Sequence, residues 1–256
     1  MSDSVSVDSL FARLDLSVAG WAFSAAMSDS ALAASRPRRG LFLVLEGIDG
    51  AGTTSQKERL LTWLQNLGLV AHGTAEPSSG PIGKLIRSLL SAQAEPLDAK
   101  AMALLFAADR RDHLTRELGP QLDSGAVIVC DRYVLSSLAY QTAAAGVPRE
   151  FVAQANAGVL PPDLTLYFDL PVQVAAQRRA QRAGTVEIYD ADPLQQRVAA
   201  AYLHEAQALQ QAHQPVLFID AAKDRDAVEL ELQKNLAPVL RAAHAQGRLQ
   251  GGLRGL

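Results

Sequence analysis

From Gly40 onward the chain alternates short apolar runs with longer amphipathic stretches. Residues 41–46 (LFLVLE), 126–130 (AVIVC), 164–169 (LTLYFD) and 215–219 (PVLFI) are continuous β-rich, mostly apolar runs, and 69–74 is a weaker one. Runs this short, bounded by turn residues, read as strands buried on both faces. Helical patterns lie near 53–67, 81–91, 98–118, 134–145, 172–182 and 192–212, and a closing helix follows the last strand. The alternation predicts an α/β architecture of three layers, a five-stranded parallel sheet with helices on both faces. Strand 41–46 is expected at its centre with 126–130 beside it. One domain spans 40–245, and the Gly-rich end, 246–256, is expected to be flexible.

Composition narrows the classes. Of 256 residues, 48% are hydrophobic and 20% charged, as in a compact globular domain. A net charge of -3, with no Lys/Arg-rich block, gives no nucleic-acid footprint. No run of about 18 or more apolar residues exists, so no membrane partner is expected and a cytoplasmic protein is. The single cysteine, Cys130, excludes an internal disulfide and reads as a buried thiol in a strand.

Residues 1–39 read as an N-terminal extension, either a flexible tail or a short accessory helix. The stretch LSVAGWAFSAA loosely resembles the core of a signal peptide, but Asp3, Asp8 and Asp15 outnumber Arg13 ahead of it. MSDS occurs at residue 1 and again at residue 27, which makes Met27 an alternative start.

Directly after the first strand come Gly47, Ile48, Asp49, Gly50, Ala51, Gly52, Thr53 and Thr54. They fit the phosphate-loop pattern G-x-x-x-x-G-K-[ST] at every position but one. Glycines let backbone N–H groups curl around an anion, and the following helix N-terminus adds partial positive charge. Thr54 stands where a hydroxyl would hold Mg²⁺. Thr53 occupies the place of the lysine that reaches the β- and γ-phosphates. The nearest lysine, Lys57, is one turn further on and expected to point away. The setting of strand, loop and helix predicts a P-loop NTPase fold.

Four collinear segments then resemble the thymidylate kinase family: LEGIDGAG, AEPSSGPIGKLIRSLL, LLFAADRRDHL and CDRYVLSSLAYQ. PDLTLYFDL resembles the strand before that family's lid, so the similarity covers about 41–220. The resemblance implies phosphoryl transfer from ATP to dTMP with Mg²⁺ as cofactor, small-molecule nucleotides as partners, and a homodimer. By the same resemblance Asp131 joins Thr54 at the metal, and Arg132 grips the acceptor phosphate. Phe106 would stack on the base and Arg110 hydrogen-bond its edge. Ser137, Tyr140 and Gln141 would read the base and sugar, with Tyr140 filling the space of a ribose 2′-hydroxyl and Asp49 binding the 3′-hydroxyl. Asp49 as a simple turn residue is the alternative.

The catalytic set expected on these grounds is Asp49, Arg132, Arg178 and Arg182. Arg178 and Arg182 are i, i+4 on the lid helix and would point one way, with Arg179 elsewhere. Three cations of the family pattern are absent. Thr53 replaces the loop lysine, the lid loop AGTVEIYD has no Lys or Arg, and Ala75 stands where arginine often precedes Glu-Pro. A nucleotide-binding module with weak or no transfer, or a kinase for another small acceptor, is therefore the competing expectation.

Overall fold

The computed structural model describes residues 40–91, 94–181 and 192–256. The N-terminal extension, Arg182 and the lid loop AGTVEIYD lie outside the described residues.

Five strands form one sheet: β1 (Leu41–Gly47), β2 (Ala71–Ala75), β3 (Val127–Asp131), β4 (Leu164–Asp169) and β5 (Val216–Asp220). The order is β2-β3-β1-β4-β5, and every pairing is parallel. All seven residues of β1 are buried, as a central strand requires. Alternate side chains point to opposite faces. Leu41, Leu43 and Leu45 enter one core with α1 (Thr53–Asn66), α8 (Asp192–Gln211) and α9 (Arg225–Ala245). Phe42 and Val44 enter a second core, with Leu118, Leu122, Tyr133 and Leu138 on the opposite face. The remaining helices are α2 (Pro81–Leu90), α3 (Ala99–His113), α4 (Gly119–Asp123), α5 (Val134–Ala143), α6 (Arg149–Ala155) and α7 (Val172–Ala180).

The helix expected over 98–118 is α-helical only to His113 and continues as a π-helical turn, Leu114–Leu118, into α4. Pro120 lacks the N–H an α-helix would direct at the preceding turn, and the chain widens before it. Short α6 went unread because its seven residues show no helical period; Pro148 precedes it and Glu150 sits in its first turn.

The C-terminal end expected to fray is instead tied down. Gly40 N bonds Arg248 O at 2.5 Å, Gln250 N bonds Gly125 O at 2.7 Å, and Arg254 N bonds Leu67 O at 2.9 Å. Arg248 also pairs with Asp163 at 2.8 Å, and Leu249 is buried. Glycine content misled here: Gly251 has φ 103°, and a Cβ there would lie 2.2 Å from Gly68 O, so glycine permits the close approach.

The chain steps from β1 out to β2, returns to β3, then crosses to β4 on the other side of β1. This reversal opens a crevice at the C-terminal ends of β1 and β3. Gly47–Gly52 and Asp131–Arg132 lie there.

Candidate active site

The phosphate loop ends at Gly52, whose φ of 91° caps α1 without any side-chain hydrogen bond. The first N–H groups of α1 therefore have no side-chain cap and can receive an anion. Thr53 is buried, and Thr54 donates its hydroxyl to Asp131 Oδ2 at 2.6 Å. Asp131 Oδ1 is buried without a hydrogen-bond partner among the described residues. A hydroxyl and a carboxylate with an unmet oxygen, beside a loop suited to phosphates, fit a hard cation such as Mg²⁺. Lys57 turns toward β2, with Nζ 3.4 Å from Thr74 O.

Arg132 follows β3 with φ 72°, a left-handed conformation unusual for a residue with a side chain. This turn brings its guanidinium back over the loop. Nη2 donates to Asp49 Oδ1 at 2.6 Å, and Nη1 reaches Gly47 O at 3.2 Å and the Tyr202 hydroxyl at 3.0 Å. Tyr140 on α5 donates to Asp49 Oδ2 at 2.6 Å, and its ring lies 5.2 Å from the Arg132 head. Burial raises the Asp49 pKa, but the Arg132 charge and the Tyr140 hydrogen bond outweigh it and hold the carboxyl below its usual value. Asp49, Arg132 and Tyr140 are thus one cluster.

Beneath it lies Glu46, which the sequence reading passed over as the end of a strand. It is fully buried and accepts from Tyr133 N at 2.9 Å, Ser136 N at 3.2 Å and Ser136 Oγ at 2.5 Å. It thereby holds the N-terminus of α5 and, through Tyr202, the Arg132 head. Burial pushes its pKa up despite these bonds. Gln195 and Tyr202, on α8, were also missed. Both are fully buried beside Val198 and Ala206 on one apolar face. Two polar residues on such a stripe were the available signal.

Arg110 is 1% exposed and surrounded by acceptors. It bonds Asn156 Oδ1, Tyr133 O at 2.9 Å and Ser137 Oγ at 3.1 Å, and forms a 2.8 Å ion pair with Glu76. Glu76 begins the loop after β2, which Asp109 fixes by accepting from Ser78 N and Ser78 Oγ, both at 2.6 Å. The structure thus brings Arg110 and Ser137 together. Gln141, one turn beyond Ser137, is buried with Oε1 unpartnered among the described residues. Phe106 is half-buried and packs against Ile86, Leu90 and Met102.

The lid helix corrects one expectation. Arg178 turns to the β5–α9 loop, donating to Ala221 O at 3.0 Å, whereas Arg179 donates to Asp49 O in the phosphate loop at 2.9 Å. The helix is seated by Ala175, whose carbonyl would lie 2.7 Å from a Cβ on Gly50. Position 179 is one turn beyond 175 and shares its face, so 179 rather than 178 meets the loop.

A glycine loop between a central strand and a helix, with a carboxylate on the neighbouring strand, defines a P-loop NTPase-type nucleotide site. The thymidylate kinase family model matches residues 45–231. A thymidylate kinase of Thermosynechococcus vestitus is 36% identical over 240 residues, covering 87% of this chain and 98% of that protein. One from Verminephrobacter eiseniae is 38% identical over 215 residues, 79% of this chain and 92% of the relative. A probable thymidylate kinase of Pyrococcus horikoshii is 39% identical over 173 residues, 66% and 84% of the two chains. The chain belongs to the thymidylate kinase family. Among the described residues no helix is long and apolar enough to cross a membrane.

Proposed function

We propose that this chain transfers the γ-phosphoryl group of ATP to dTMP, giving dTDP and ADP, as a homodimer. The observation that carries the reading is the Asp49 carboxylate held by Arg132 on one oxygen and Tyr140 on the other, at the mouth of the phosphate loop. It joins donor loop, acceptor-phosphate cation and sugar reader in one rigid cluster.

The loop from Gly47 to Thr54 binds the ATP phosphates through its N–H groups. Thr54 and Asp131 would hold Mg²⁺, which when bound supplies positive charge to the phosphates. Arg132 releases part of its contact with Asp49 to grip the acceptor phosphate, a planar fork well matched to that oxyanion. Asp49 then accepts from the deoxyribose 3′-hydroxyl. Arg110, fixed by Glu76 and Asn156, presents its edge to the thymine carbonyl, with Ser137 and Gln141 beside it and Phe106 as the stacking face. In this reading Arg178 and Arg182 are the lid cations for the donor phosphates.

The test is ADP formation from ATP–Mg²⁺ with dTMP against other nucleoside monophosphates. Failure to form ADP with any acceptor would favour a binding module.

A further inference from the structure

The phosphate loop lacks the lysine that ordinarily supplies its positive charge, and the described residues offer four nearby cations. Lys57 is turned to Thr74 O. Arg132 is bonded to the Asp49 carboxylate. Arg178 is bonded to Ala221 O. Arg179 bonds the loop's own backbone, at Asp49 O.

The placement of Arg179 is built into the packing. Gly50, with φ 96°, lets the loop close to within contact of the Ala175 carbonyl, where any Cβ would meet that oxygen at 2.7 Å. Ala175 is fully buried and one helical turn before Arg179. The root of α7 is thus docked on the loop at two points. Burial raises the Asp49 pKa, and Arg179 adds to the lowering by Arg132 and Tyr140 that outweighs it.

The Asp49 carbonyl and the Gly50 N–H belong to one peptide group. A cation on the oxygen draws electron density through the amide and makes the N–H a stronger donor. That N–H belongs to the loop that curls around phosphate. We propose that Arg179 is a positioning residue that takes over the electrostatic duty of the absent lysine, acting on the phosphates through the Asp49–Gly50 peptide from the outer side of the loop. The inference rests on reading this loop as the ATP site.

The test is calorimetric binding of ATP and of AMP to wild type, Arg179→Ala, Arg179→Gln, Arg179→Lys and the double variant Arg179→Ala/Thr53→Lys, with kcat and KM for dTMP alongside. Removing the charge, as Ala or Gln, is expected to weaken ATP roughly tenfold to a hundredfold while AMP changes by less than about threefold. Lysine at 179 is expected to keep ATP affinity near wild type, and Thr53→Lys to restore it in the alanine background. Unchanged ATP affinity in both neutral variants would overturn the proposal. So would equal losses of ATP and AMP, or a failure of both charge-restoring variants, since each marks a merely structural anchor. The binding arms need no transfer to dTMP. A wild type that binds ATP in this charge-dependent way without phosphorylating dTMP would refute the proposed function and leave this inference standing.

Discussion

The Tyr140 hydroxyl and Asp49 Oδ2 are 2.6 Å apart, and this bond ties helix α5 to the phosphate loop. The bond gives Asp49 a partner beyond its own turn. A turn aspartate bonds its own backbone, whereas both oxygens of Asp49 are held by distant side chains.

On the proposed function, sugar selection should rest on the same pair. Tyr140→Ala should raise activity toward UMP relative to dUMP, because the volume facing the 2′-position is emptied. Tyr140→Phe should keep the discrimination while losing the bond to Asp49. The ratio of kcat/KM for dUMP and UMP checks both; an unmoved ratio in the alanine variant would remove Tyr140 from that role.

Arg110 should matter to the fold as well as to the base. Arg110→Ala leaves Glu76 buried with its main counter-charge gone, a loss of about 3 kcal/mol or more. Urea unfolding is the measurement, and adding Glu76→Gln should recover part of the loss. A variant as stable as wild type would show that His113 alone balances Glu76.

His113 gives the protein a pH dependence. Its Nδ1 is 3.3 Å from Glu76 Oε1, its Nε2 is 2.8 Å from Thr74 Oγ1, and Glu117 and Asp109 add nearby charge. Burial lowers its pKa, but the Glu76 hydrogen bond and charge outweigh this and raise it above 6.5. A raised folded pKa means the folded state binds the proton more tightly than the unfolded state. The stabilisation is complete below the ordinary histidine value and is lost as pH rises through the folded value. Unfolding midpoints should therefore fall as pH is raised above about 6.5, the ordinary histidine value. The His113→Gln variant should show a flatter profile over that range.

The C-terminal end should be needed for stability. Deleting 247–256 removes the backbone bonds to Gly40, Gly125 and Leu67, the Arg248–Asp163 pair and the burial of Leu249. Bonds worth about 1 kcal/mol each, together with one buried leucine, amount to roughly 5 kcal/mol. Thermal melting of the truncated chain should show a clear drop; an unchanged midpoint would mean these contacts add nothing net.

The sheet was legible because β1 and β3 are apolar until Glu46 and Asp131 near their ends, and a buried strand needs no partner to show itself. The phosphate loop was legible because its glycines act through local backbone geometry and Thr54 follows them at a fixed spacing. Arg179 was not, since spacing along α7 gives which residues share a face but not which face meets the loop. That is decided by Gly50 against Ala175, 125 positions apart in the sequence. Glu46 was hidden because its partners, Tyr133 just before α5, Ser136 on α5 and Tyr202 on α8, lie far along the chain. The C-terminal glycines read as frayed because the tight approach they permit exists only once Gly68 stands opposite them.

The central claim is tested most directly by steady-state transfer from ATP–Mg²⁺ to dTMP, dUMP, dCMP, dGMP and UMP in parallel. Equal amounts of ADP and dTDP should form, with the highest kcat/KM for dTMP and the lowest for UMP. A protein that binds ATP yet forms no ADP with any of the five, or that prefers another acceptor over dTMP, would contradict the account.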